Sequence, residues 1–198
     1  TDFSYAKAPD FNFTETTIEQ IEDDRQFVIK TSEIICRIAR DTWSISLFTI
    51  EGRLINCDDG GFHWEPNPGF GGHYVYCTKQ IQEHENFFGL GDKATSQNLR
   101  GKRFLNWGTD TYGFAKEQDP LYRNIPFYFG LHHNISYGIF FDNSFQTFFD
   151  FGKESNTHAS FWAEGGQMSY YFIYAPMLLQ VAEEYCKITG LPELPPKW

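Results

Sequence analysis

The sequence predicts an all-β protein, an antiparallel two-sheet sandwich with one helix near the C-terminus and a proline-rich exit. Three observations lead there. Aromatic residues make up 19% of the 198 positions, with 21 Phe, 11 Tyr and 5 Trp, and such side chains suit pleated, half-buried surfaces. Short runs of β-branched and aromatic residues recur between turn residues. Only one segment carries a helical period.

The elements follow in chain order. Residues 1–24 are polar and acidic and predict an irregular lead-in with one or two short strands. Phe27–Thr31, Ile34–Ile38 and Trp43–Phe48 read as successive strands, and Glu51-Gly52-Arg53 turns the chain back into Leu54-Ile55, a meander of hairpins. Residues 58–73 concentrate Gly60-Gly61, Pro66, Pro68 and Gly69–Gly72 and predict a long surface loop. Strand pattern resumes at Tyr74-Val75-Tyr76 towards Ile81, followed by a second irregular stretch from about Asp92 to Ile125. Beyond it, Phe127–Leu131, Tyr137–Phe141, Thr147–Phe151 and Met168–Tyr174 read as strands at the spacing of a sandwich or barrel. Between Met177 and Thr189 the residues Leu178, Val181, Tyr185 and Ile188 share one helical face, with Gly190 at the C-cap position. Residues 191–198 hold three prolines and predict a stiff tether leading to a further domain.

Composition narrows the function. A net charge of −10 and a pI near 5.0 repel phosphate backbones and anionic lipid, so nucleic acid and membrane surfaces are poor partners. No run approaches the ~20 apolar residues of a transmembrane helix. Cys36, Cys57, Cys77 and Cys186 are far apart without C-x-x-C or His at ligand spacing, which predicts ordinary core cysteines and no metal site. Gly89-Leu90-Gly91-Asp92-Lys93-Ala94 fits a loose dinucleotide pattern, but no βαβ unit surrounds it, so turn glycines are expected and no cofactor. His132-His133 lacks a third ligand and reads as a surface turn before Asn134. Asp142 and Asp150 follow aromatic runs and are expected to end strands or to bind turn amides, whereas Asp110 and Asp119 lie in the long irregular segment. Loops beyond ~15 residues inside a domain are uncommon and usually functional when ordered, so that segment is the candidate site.

Motifs in the same segment carry a resemblance. Glu85-Asn86-Phe87-Phe88-Gly89-Leu90-Gly91-Asp92, Leu99-Arg100-Gly101-Lys102, Asn106-Trp107-Gly108-Thr109-Asp110-Thr111-Tyr112-Gly113, Asp119–Phe127, Ser136–Asn143 and Phe149-Asp150-Phe151-Gly152 resemble, in order and spacing, the N-terminal domain of glycoside hydrolase family 31, the α-glucosidase and α-xylosidase group. The resemblance implies a galactose-mutarotase-like β-sandwich over residues 1–190 and a linker over 191–198 towards a (β/α)8 catalytic barrel. It also implies that the nucleophile and acid/base aspartates lie in that barrel, leaving no catalytic residue in this chain. By motif match Asp110 is the loop carboxylate that reaches the sugar site, with Asp92 standing where the family usually has Glu. The implied partners are the barrel itself and, through it, a carbohydrate such as an α-glucoside. A free-standing carbohydrate-binding or structural sandwich is the alternative, since architecture alone does not fix function.

Overall fold

The alternating runs pair as antiparallel strands in the computed structural model, which describes residues 4–197. Among the described residues there are thirteen strands and one helix. β1 (Glu19–Glu22), β2 (Gln26–Lys30), β3 (Ile34–Ala39), β4 (Ile45–Thr49), β5 (Leu54–Pro66) and β6 (His73–Gln80) form the meander. β7 (Asn86–Gly91), β8 (Arg103–Asn106), β9 (Asn124–His132), β10 (Ile135–Phe141), β11 (Thr147–Phe151), β12 (His158–Ala163), β13 (Tyr170–Ala175) and α1 (Leu178–Thr189) complete the chain. They assemble into a nine-stranded sheet, in the order β1-β2-β3-β4-β5-β6-β12-β11-β8, and a four-stranded sheet, β13-β10-β9-β7.

The main core lies between the two sheets, where Phe149, Phe151 and Phe161 of the large sheet meet Tyr128, Tyr137 and Phe141 of the small one. Each such ring contributes about 1.5–3 kcal/mol by leaving water. A second core lies on the far side of the small sheet. There Val181, Tyr185 and Ile188 of α1 cover Phe127, Phe140 and Ile173, so every residue of β10 is buried. Gly138 makes that approach possible: a Cβ there would lie 2.6 Å from the Phe127 ring and 2.8 Å from Val181 Cγ1. α1 ends as its sequence predicts, with Gly190 at φ 89° donating its N–H to Cys186 O at 2.8 Å.

Several expectations need correction. The predicted 58–73 loop is mostly strand, because β5 continues to Pro66 and only residues 67–72 turn. Gly60 and Gly61 have positive φ and form a bulge between Asp58 and Phe62 that keeps the pairing with β6. Gly89 and Gly91 sit in a bulged strand and make no turn: a Cβ on Gly91 would meet Arg123 O at 2.3 Å. His132 is not on the surface. Its ring is buried at the end of β9 with Nε2 2.8 Å from Ile55 O, and only His133 and Asn134 form the turn. β8 and β12 were not expected as strands. Ala, Ser and His weaken the strand signal of β12, but pairing with β6 and β11 on either side overrides it.

Candidate functional site

The candidate segment leaves β8 at the edge of the large sheet and re-enters the small sheet at β9. Residues 107–123 therefore bridge the two sheets with no strand of their own. What holds such a loop is its roots. Lys93 Nζ donates to Leu105 O at 2.9 Å on one root, and to Asp119 Oδ1 at 2.8 Å and Asn124 Oδ1 at 3.2 Å on the other. The second Asp119 oxygen accepts Leu105 N–H. Arg123 Nε adds an ion pair with Asp92 Oδ2 at 2.7 Å, and Glu117 N–H donates to Ala94 O at 2.6 Å. Leu121, 2% exposed, plugs the returning limb of the loop into the interior.

Burial lowers Lys93 below the ordinary lysine value, and its hydrogen bond and charge contact with Asp119 offset only part of that. Sequence reasoning missed this residue. Lys93 and Asp119 are 26 positions apart, and an ion pair at that separation leaves no local pattern to read.

Between the anchored roots the loop is open. Asp110 is exposed, and its carboxylate has no hydrogen-bond or ion-pair partner among the described residues. Its neighbours Thr109 and Thr111 are held by the loop backbone, with Thr111 N–H donating to Thr109 O at 2.9 Å. Around it, Trp107 is 51% and Tyr112 91% exposed, and Phe114 and Tyr122 are also exposed. A free carboxylate among exposed aromatics on a rooted loop can accept hydrogen bonds from hydroxyls and present apolar surface to a partner. Asp119, the other aspartate of the segment, is instead consumed as a structural anchor.

The remaining candidates are structural. Asp150 accepts the N–H groups of Gly152 and Lys153 at 2.9 and 2.7 Å, a turn-binding role. Asp142 accepts Ser4 Oγ at 2.7 Å. No group of three metal-ligating side chains occurs among the described residues.

Comparison with known proteins adds three findings. Residues 1–150 match the family model described as "Glycosyl hydrolase 31 N-terminal galactose mutarotase-like domain". The chain is 38% identical over 125 residues to alpha-glucosidase 2 of Bacillus thermoamyloliquefaciens, covering 63% of this chain and 16% of that protein. It is 32% identical over 127 residues to an alpha-glucosidase of Saccharolobus solfataricus, covering 64% and 18% respectively. Among solved structures, the GH31 dextranase of Flavobacterium johnsoniae, in a mutant form complexed with isomaltotriose, superposes with a TM-score of 0.85 at 32% identity. That match covers all of this chain and 23% of the dextranase. The chain thus spans less than a quarter of the length of each of these relatives.

Proposed function

The chain belongs to the glycosyl hydrolase 31 N-terminal galactose mutarotase-like domain family, and on that premise we propose that it serves as the non-catalytic N-terminal domain of a retaining α-glycosidase of the α-glucosidase type. In this reading residues 1–190 form the domain and residues 191–198 lead towards a (β/α)8 catalytic barrel on which the sandwich packs. The 107–123 loop reaches over the mouth of that barrel, where Asp110 accepts hydrogen bonds from sugar hydroxyls. The observation that carries this is the contrast within the loop: its roots are stapled by Lys93, while Asp110 is left exposed and unpartnered. A carboxylate meant to brace its own loop would be bonded to backbone amides, as Asp150 is.

Retaining hydrolysis needs two carboxyl groups ~5–5.5 Å apart, one as nucleophile and one as acid/base. In this reading that pair lies in the barrel and not in this chain, and Asp119 at the loop root is tied to Lys93 and to a backbone amide. The isolated chain should therefore release no product from an aryl α-glucoside. In the full-length enzyme, Asp110→Ala should lower kcat/KM by roughly ten- to a hundredfold, the loss of a charged hydrogen bond worth about 1.5–3 kcal/mol. Turnover by the pure chain, abolished by changing one of its carboxylates, would move catalysis into the sandwich. A kcat/KM within twofold of wild type for Asp110→Ala would remove Asp110 from the site.

A further inference from the structure

The face of the nine-stranded sheet turned away from the small sheet is not uniform. Successive side chains alternate across a strand. With Val75, Cys77, Phe149 and Phe161 in the core, their neighbours Tyr76, Trp162 and Phe148 stand on the opposite face. The register aligns them in one row with His63: His63 pairs with Tyr76, Tyr76 with Trp162 and Trp162 with Phe148. Ring centroids are 4.8, 5.5 and 5.0 Å apart, with planes within 6°, 19° and 7°. Rings stacked along the inter-strand direction stand on edge and form a ridge.

Two residues further along the strands the side chains become short. Thr78 pairs with Ser160, and their hydroxyls are 3.0 Å apart. Two residues beyond, Gln80 pairs with His158, whose Nε2 lies 2.8 Å from Asp59 Oδ2. A low row between two tall ones about 13 Å apart, four residues at ~3.3 Å each, makes a trough. Its volume is about 500 Å³, within the range of small-molecule sites. Arg103, paired with Asp150 at 2.8 Å and with Glu154, closes one end.

Stacked cross-strand rings stabilise a sheet by themselves, which accounts for the ridge and leaves its polar tips unexplained. Tyr76 and Trp162 line the trough, and neither Tyr76 Oη nor Trp162 Nε1 has a protein hydrogen-bond partner among the described residues. The charges select the class of ligand. Asp59, Glu65, Asp150 and Glu154 disfavour anions, and each already faces a partner, Asp59 His158, Glu65 His63 at 3.6 Å, and Asp150 and Glu154 Arg103, so no free carboxylate pair invites a cation. What remains is an array of hydroxyl, indole, imidazole and carboxylate groups beside an apolar wall, which matches a neutral polyol.

We propose that this trough is a carbohydrate-binding site separate from the 107–123 loop, in which a short neutral α-gluco-oligosaccharide lies over Thr78 and Ser160 against the Tyr76–Trp162 ridge. That the sugar is a glucan rests on the reading under Proposed function; that it is a neutral oligosaccharide rests on the trough. The test is titration of the chain with maltotriose and with isomaltotriose, followed by tryptophan fluorescence and calorimetry. Saturable millimolar binding is expected. Ser160→Tyr, which fills the floor from the solvent side, should weaken it at least ~tenfold, and Tyr76→Phe, which keeps the ring and removes one neutral hydrogen bond, about three- to tenfold. Tyr76→Phe keeps the test decisive should Ser160→Tyr disturb folding. Absence of saturation with both trisaccharides overturns the proposal. So does binding that survives Ser160→Tyr and Tyr76→Phe but is lost in Asp110→Ala, which would place the sugar on the loop. The role of Asp110 is read separately, from kcat/KM of the full-length enzyme, so either assignment can fail while the other stands.

Discussion

Lys79 and Lys93 are buried to nearly the same degree, with 2% and 3% of their side chains exposed, yet they sit in different kinds of surroundings. Lys79 lies in β6 between the sheets, where Asp58 Oδ1 is 2.5 Å away, Tyr170 Oη 3.0 Å away and the Tyr170 ring within 4.8 Å. Burial alone would lower it, but Cys77, Tyr170 and Asp58 together hold it well above the ordinary lysine value. Lys93 faces Asp119, whose side chain is 17% exposed, and burial wins, leaving it below the ordinary value. The lysine whose counter-ion is wholly buried is held above the ordinary value, and the one whose counter-ion is partly exposed lies below it. The interior pair is part of the sandwich, whereas at the loop root water reaches Asp119.

Variants can break that contrast. The largest effect should come from Lys79→Met alone, which leaves the Asp58 charge buried and uncompensated, with only two neutral donors, the Ile45 N–H at 2.8 Å and the weak Cys77 thiol at 3.9 Å. A cost of about 3–5 kcal/mol is expected in urea denaturation, and the double variant Lys79→Met/Asp58→Leu should recover most of it. A single-variant cost below about 1 kcal/mol would show that water already reaches the pair.

Glu85 sharpens the comparison from the acidic side, because it is 1% exposed and has no ion pair among the described residues. It accepts Tyr137 Oη–H at 2.6 Å and Gln82 N–H at 2.7 Å, yet burial raises its carboxyl from 4.5 to about 7. The folded state therefore holds a proton that the unfolded chain has lost between pH ~4.5 and ~7, so stability from this group falls as pH rises through that window. The 2.5-unit difference corresponds to about 3 kcal/mol. Glu85→Gln should flatten the slope of unfolding free energy over that range, and an unchanged slope would assign the pH dependence elsewhere.

Lys93→Met should cost less, about 1–3 kcal/mol, because Asp119 can turn to water. Its signature should be local: amide exchange in residues 107–123 faster by about tenfold, with the strands unaffected. Uniform acceleration would make Lys93 an ordinary core group. Smallest of all, Asp110→Ala should change the stability of the chain by no more than about 0.5 kcal/mol, a melting shift of one or two degrees. A drop of several degrees would mean that Asp110 braces its own loop.

The sequence by itself determined the class of fold and the place of the long strand-free loop. Alternation in Trp43–Phe48, the continuous apolar run Tyr137–Phe141 and the 3.6-residue period of Val181, Tyr185 and Ile188 are local patterns, and they were legible because burial is a local demand on residue type and spacing. The long loop around Asp110 was legible for the converse reason, since it lacks any period. Tertiary structure decided the rest. Asp58 sits in a breaker-rich stretch and still belongs to β5, because Lys79 neutralises it and a two-glycine bulge restores register. His132 is drawn inside by Ile55 O, 77 residues away in sequence. Lys93 roots the loop through partners 12, 26 and 31 positions distant, and the aromatic ridge exists only because β5, β6, β12 and β11 lie side by side. Periodicity is written along the chain, but the partner of a buried charge or a stacked ring is fixed by which strands become neighbours.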